Sequence, residues 1–182
     1  MSLICRIADR FRRSTTVHNL KESMWDVFIN GLCASWIIPC AVRNAILKCL
    51  CHHEVLGDVS PHVYIQSRQF SLGRRSYINR FSKICNGGAP VRIGNDCAVA
   101  FQVTFCTDNH DYSTPGHRAG KVTGKAIIVE DGTWIGADCV ILPGVRIGSG
   151  CVIGAGSVVS KDCEPHSLYK GNPAVKIRDL PQ

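Results

Sequence analysis

Residues 135–159 read IGADCVILPGVRIGSGCVIGAGSVV, and an aliphatic residue recurs at every sixth position. The series runs wider than this stretch: Val129, Ile135, Ile141, Ile147, Ile153 and Val159. Gly136, Gly148 and Gly154 follow three of its members directly. Four residues after each member stand Thr133, Cys139, Val145, Cys151, Ser157 and Cys163, all small or β-branched. A period of six is neither a heptad nor the repeat of one amphipathic helix. It suits a triangular solenoid, in which each hexad gives one short strand and three hexads close a coil of about 18 residues. The aliphatic residue then points inward and stacks on its equivalents. The small residue fills the remaining interior volume, and the glycine is expected at the corner, where φ turns positive.

The same register recurs upstream at Leu72, Ile78 and Ile84, and again at Ile93, Val99 and Phe105. Ser76, Ser82, Cys97 and Val103 occupy the small slot there. Residues 59–105 and 127–163 thus carry the repeat, about 84 residues or roughly five coils. No single hexad buries its own apolar face, but stacked ones do. The expected fold class is an all-β parallel solenoid, with residues 1–58 as an N-terminal helical segment and 59–182 as the main domain.

The helical segment is read as two helices, roughly 21–38 and 40–51, joined near Pro39. Its most apolar run, residues 27–42, contains Asn30, Ser35 and Pro39. That run is shorter than the about 20 residues of a membrane span, and Pro39 breaks a helix. The helices are expected to pack on the main domain or to lie on a membrane surface.

Composition sets outer bounds. With 182 residues, 45% hydrophobic and 19% charged, the chain is long and apolar enough for a folded core, which excludes a disordered chain. Eleven cysteines, an odd number, and the lack of a cleavable signal peptide at its start point to reduced thiols and a cytoplasmic setting. Cys97, Cys139, Cys151 and Cys163 fall in the small slot and read as packing residues. The net charge of +7 is uneven: residues 1–80 hold 11 Lys and Arg against 5 Asp and Glu, residues 81–182 hold 10 against 9. Arg6, Arg10, Arg12 and Arg13 lead the basic end. A solvated face and a contact with anionic lipid both fit such a cluster; a nucleic-acid partner is not expected.

The repeat breaks at residues 107–126, TDNHDYSTPGHRAGKVTGKA. This stretch is polar and carries a proline and three glycines, so it is expected to leave the solenoid as an extended loop, where function concentrates.

The hexads of residues 135–159, together with Gly171-Asn-Pro-Ala, resemble the hexapeptide-repeat acyltransferases, which fold as left-handed parallel β-helices. Residues 72–178 resemble the maltose, galactoside and nodulation-factor O-acetyltransferases and the acetyltransferases of polysaccharide gene clusters. The resemblance implies an acetyl-CoA-dependent O-acetyltransferase acting on a saccharide or related hydroxylated acceptor. It implies a homotrimer with active sites between subunits, and acetyl-CoA as co-substrate with no metal. The segment TDNHDY, with Trp134 beyond it, resembles the family's catalytic-histidine region. His110 is by this resemblance the general base that takes the proton of an acceptor hydroxyl as it attacks the thioester directly, without an acyl-enzyme. Imidazole titrates close to neutral pH in its ordinary state, which suits that task.

The other site residues follow in the same way. Asp108 could orient His110 through its other ring nitrogen, as could a backbone carbonyl. His117 is read as a structural or acceptor-contacting residue. Asn79 resembles an asparagine that positions the acceptor sugar, since an amide both donates and accepts; a corner-turn asparagine is the alternative. Trp134 resembles the aromatic wall of the pantetheine channel. Ala137, Ala155 and Gly156 resemble the small residues along which that arm lies, and a backbone N–H near Ala137 is the candidate donor to the oxyanion. Ser160, Lys161 and Arg178 resemble residues at the nucleotide end, where cations meet phosphates. The chain departs from the galactoside and maltose enzymes at Asn86-Gly-Gly-Ala, where those carry an acidic residue near the acceptor. Their N-terminal segment, which also serves that site, has no recognisable counterpart in residues 1–58.

Other readings remain open from sequence. An acyltransferase on a non-sugar acceptor, a natural product or an amine, would look alike. A zinc hydratase on the same fold needs three histidines around one metal, with His62 or His166 joining His110 and His117. Cys49, Cys51, His52 and His53 could bind zinc by themselves. A non-catalytic module binding a membrane surface or polyanion would use the basic N-terminal end.

Overall fold

The computed structural model describes residue 20 and residues 23–51 and 54–182. From Asp58 onward the chain coils into a three-sided prism of short parallel strands. The first face stacks Asp58–Val59, Tyr77–Ile78, Ala98–Val99, Trp134–Ile135, Val152–Ile153 and Ser167–Gly171. The second stacks Tyr64–Ile65, Lys83–Cys85, Thr104–Cys106, Val140–Ile141 and Val158–Val159. The third stacks Phe70–Leu72, Val91–Ile93, Ile127–Val129 and Arg146–Ile147. Successive coils pair in register, as with Ile78 on Val99 and Ile135 on Ile153.

The hexad residues form the core. Ile78, Ile84, Val99, Phe105, Ile135, Ile141 and Ile147 are fully buried. Each such side chain contributes about 1.5–3 kcal/mol by leaving water. The small slot does more than fill volume. Ser76 Oγ donates to Gly94 O (2.7 Å), Thr133 Oγ1 to Gly148 O (3.3 Å), Cys139 Sγ to Gly154 O (3.2 Å) and Cys97 Sγ to Glu130 O (3.2 Å). Each hydroxyl or thiol thereby caps a corner carbonyl of the next coil, which the strand ladders leave unpaired. The expectation of plain packing cysteines is corrected to packing cysteines that also donate.

The glycines are corrected as well. Gly136, Gly148 and Gly154 are not the residues with positive φ. A Cβ at Gly136 would lie 2.6 Å from the Ala155 amide nitrogen, and one at Gly148 would lie 2.6 Å from that of Pro165. Glycine is needed there because the next coil's backbone crosses so closely. Positive φ falls two residues later, at Gly132, Gly150 and Gly156 but also at Arg75, Phe81, Asp96 and Asp138.

The two ends of the prism are closed differently. At the far end Ser167–Gly171 turns back through Ala174–Asp179 as an antiparallel pair, and the Tyr169 hydroxyl accepts from the Glu164 N–H (3.0 Å). At the near end lies the helical segment. Its first helix ends at Cys33 rather than at 38, and Asp26–Cys33 is wound as a π-helix, with Ala34 N–H bonded to Ile29 O (3.0 Å). The second helix is Cys40–Leu50, with Pro39 at its N-cap, where no N–H is missed. Between them the turn is tied by Arg43, which is buried and donates to Cys33 O (2.6 Å), Ser35 O (2.7 Å) and Ile38 O (3.0 Å). Trp25, Ile29, Cys33, Leu47 and Cys51 pack against the first coils.

Candidate active site

The interruption at 107–126 is a hairpin rather than an extended loop. Asp108–His110 pairs antiparallel with Val122–Gly124. It leaves the prism at the second edge, where the second face turns into the third. Its root is closed by Lys125 N–H on Thr107 O (2.9 Å). Asp108 Oδ1 accepts from Gly88 N–H (2.7 Å) and from Thr107 Oγ1 (2.9 Å). The Gly87–Gly88 corner therefore serves as the seat of the hairpin. A Cβ at Gly88 would meet the Asp108 carboxylate and lie 3.0 Å from Gly124 Cα. At the exposed tip, Asp111 Oδ1 accepts from Ser113 N–H (2.9 Å), which holds its carboxyl below the ordinary range.

His110 is exposed, and its Nδ1 lies 3.0 Å from Gly120 O, across the hairpin. A carbonyl oxygen only accepts, so this bond puts a proton on Nδ1, and in the neutral ring Nε2 is then the acceptor. Asp108 is committed to the hairpin root and is not the orienting group; the Gly120 carbonyl is. Sequence reasoning passed over Gly120, since nothing in its neighbourhood marks a carbonyl aimed at the histidine. His117 lies exposed near the tip, with its N–H bonded to Thr114 O (3.3 Å).

The remaining residues spread over the prism. Ser160 and Lys161 lie exposed on the same second edge as the hairpin, two coils further on, and Lys161 makes no ion pair among the described residues. Asn79, Ala137, Ala155 and Gly156 lie on the first edge, between the first and second faces. Ala155 and Gly156 are exposed there, and a Cβ at Gly156 would meet nothing within 4 Å. Gly156 N–H uses the Ala137 carbonyl (2.8 Å), while the Ala137 N–H donates to no group among the described residues. This strip of small residues with an unused amide fits a slender arm lying along the backbone. Trp134 stands outward on the flat first face, 55% exposed. Arg178 is exposed on the returning strand and also lacks an ion pair among the described residues. One chain therefore does not gather His110 and the small-residue strip into one cleft: they stand on different edges.

Burial raises Cys85, Cys97, Cys139 and Cys151 above the ordinary thiol value and pushes Cys163 up to about 12. Cys106, beside inward Phe105, points outward at its strand end, with Sγ 3.5 Å from Asp108 O. Among the described residues no three His, Cys, Asp or Glu gather as a metal group. His62 is stacked on Phe81 at the first edge (5.6 Å), away from His110 and His117. His52 and His53 lie outside the described residues, as do Arg6, Arg10, Arg12 and Arg13. A groove of about 670 Å³ opens between the helical segment and the first coils, lined by Phe28, Leu50, Gln66, Arg68 and Gly87. Gly87 belongs to the corner that seats the hairpin.

Residues 126–161 match the bacterial transferase hexapeptide (six repeats) family. Galactoside O-acetyltransferase of Escherichia coli (strain K12) is 34% identical over 123 residues, 67% of this chain and 60% of that one. The solved structure of a hexapeptide-repeat containing acetyltransferase from Vibrio cholerae O1 biovar eltor, complexed with acetyl coenzyme A, superposes with TM-score 0.77 at 28% identity. That match covers 93% of this chain and 92% of the other. A galactoside acetyltransferase in complex with coenzyme A gives TM-score 0.76 at 25% identity, over 96% and 90% of the two chains. The chain spans 44% to 60% of the length of the first curated relatives it matches.

Proposed function

We propose, since residues 126–161 match the hexapeptide-repeat family and the chain is similar to galactoside O-acetyltransferase, that it is an acetyl-CoA-dependent O-acetyltransferase. Its acceptor is a hydroxyl of a saccharide or related molecule, and its solenoid winds left-handed as in that family. Acetyl-CoA supplies the thioester. His110 Nε2 takes the acceptor proton as the oxygen attacks the thioester carbonyl, and the Nδ1 bond to Gly120 O holds the ring in the tautomer that can do so. The tetrahedral intermediate then breaks its C–S bond, and the imidazolium returns the proton to the departing CoA sulfur. That bond is the observation that carries the reading.

The pantetheine arm lies along Ala137, Ala155 and Gly156, with the Ala137 N–H as donor to the developing oxyanion. Lys161 and Arg178, both free of carboxylate partners among the described residues, meet the phosphates, with Ser160 beside them. Trp134 walls the channel, and Asn79 and His117 face the acceptor. Because His110 and the small-residue strip stand on different edges, a complete site needs two copies, which supports a homotrimer with sites between subunits.

The test is calorimetric titration of the purified chain with acetyl-CoA, and with CoA as control. Saturable binding near one site per chain is the expected result. No binding at millimolar donor would overturn the assignment.

A further inference from the structure

The helical segment at the near end of the prism has two apolar faces, and the chain covers one. Inward, Trp25 Nε1–H donates to Ile65 O (2.6 Å), Asn30 Oδ1 accepts from Ile65 N–H (2.8 Å), and Asn30 Nδ2 donates to Ile65 O (3.0 Å). Ile29 and Cys33 are buried on the same side. These bonds fix the rotation of the segment and so decide what stays outside. Met24, Val27, Phe28, Leu32, Trp36 and Ile37 remain 46% to 87% exposed. Single exposed apolar residues are ordinary on a protein surface; six within residues 24–37 make a patch.

Cations lie beside the segment. The Arg80 guanidinium lies 4.1 Å from the ring of Trp36 in the patch, and that of Arg68 lies 5.6 Å from the ring of inward Trp25 and lines one groove with Met24 and Phe28. In sequence, residues 1–19 add Arg6, Arg10, Arg12 and Arg13 against Asp9 alone and run directly into this segment. Asp26, exposed on the same helix, accepts from Asn30 Nδ2 (2.7 Å).

We propose that this face docks on an anionic lipid surface, with the apolar side chains entering the headgroup boundary and the cations meeting lipid phosphates. Surface-lying helices bind by these two contributions together. No helix among the described residues is long and apolar enough to cross a membrane, so the segment lies on the surface. A second copy is the poorer occupant, because pairing two such patches would bring their cations face to face.

The experiment is co-sedimentation of the full chain with phosphatidylcholine vesicles, with and without phosphatidylglycerol. Leu32 and Ile37 lie outside the lining of the groove beside the hairpin, so Leu32→Glu/Ile37→Glu tests the patch alone. Wild type should sediment with the phosphatidylglycerol vesicles at low salt and be released as salt rises. The double variant, with an unchanged thermal transition, should bind at least about tenfold more weakly. Arg12→Gln/Arg13→Gln should weaken binding about tenfold or more at low salt. Wild type left in the supernatant at low salt overturns the proposal, as does a patch variant that sediments like wild type. A variant whose mass by light scattering falls, with neither form binding vesicles, assigns the face to a second copy and equally overturns it.

Discussion

His110 is held by its own strand and by the carbonyl of Gly120, which lies just before the partner strand. Removing the ring while leaving the backbone pairing should cost catalysis and little else. His110→Ala is expected to lower turnover by about 10² or more and to leave donor affinity and oligomer mass unchanged. Steady-state kinetics beside calorimetry would check this, and full turnover would refute the base assignment. Cys139, Cys151 and Cys163 are buried, and their thiols stay protonated at neutral pH because burial raises them. Iodoacetamide should label exposed Cys40 and Cys49 in the native protein and reach those three only on unfolding, as read by mass spectrometry. The slot's volume could be read from the sequence, because it recurs every sixth residue. Its hydrogen bonds could not, because Cys97 and its acceptor Glu130 stand 33 residues apart and meet only when the coils stack. The glycine roles were misassigned for the same reason: the backbone that crowds Gly136 belongs to residue 155.

Among the elements, the strands were the most legible and the helices the least. Pro39 marked the join correctly, but the end of the first helix depends on Arg43, whose side chain takes up carbonyls at 33, 35 and 38. A lone arginine in an apolar helix carries no sequence signal of such a task. Arg43→Met should free those carbonyls inside a buried turn and lower unfolding stability by about 2–4 kcal/mol. Denaturant titration would measure it, and an unchanged midpoint would show that the turn is held by other contacts. The hairpin was legible as an interruption and illegible as a pair of strands. Its residues have no alternation to read, and its register is fixed at the root, by Asp108 on the Gly88 amide.

At the scale of the whole molecule, the count of roughly five coils and the closing of the interior were in the sequence. The arrangement of the site was not. Position along the chain says which hexad carries a residue, while the coil's rotation says which edge it occupies, and the two divide His110 from Ala155. If two copies complete one site, then two inactive variants can rescue each other. Mixed oligomers of His110→Ala with Ala155→Trp should regain part of the activity that each lacks alone. Absence of any recovery after co-refolding would mean that one chain holds a whole site. Thr107 and Lys125 meet at the root of the hairpin. Each of the three faces is sewn from strands on both sides of that root. Covalent continuity and structural continuity therefore part company at the tip. Trypsin cutting after exposed Arg118 should give two fragments that separate on a denaturing gel yet travel as one particle on gel filtration. The polypeptide could equally be produced as two separate halves that find each other.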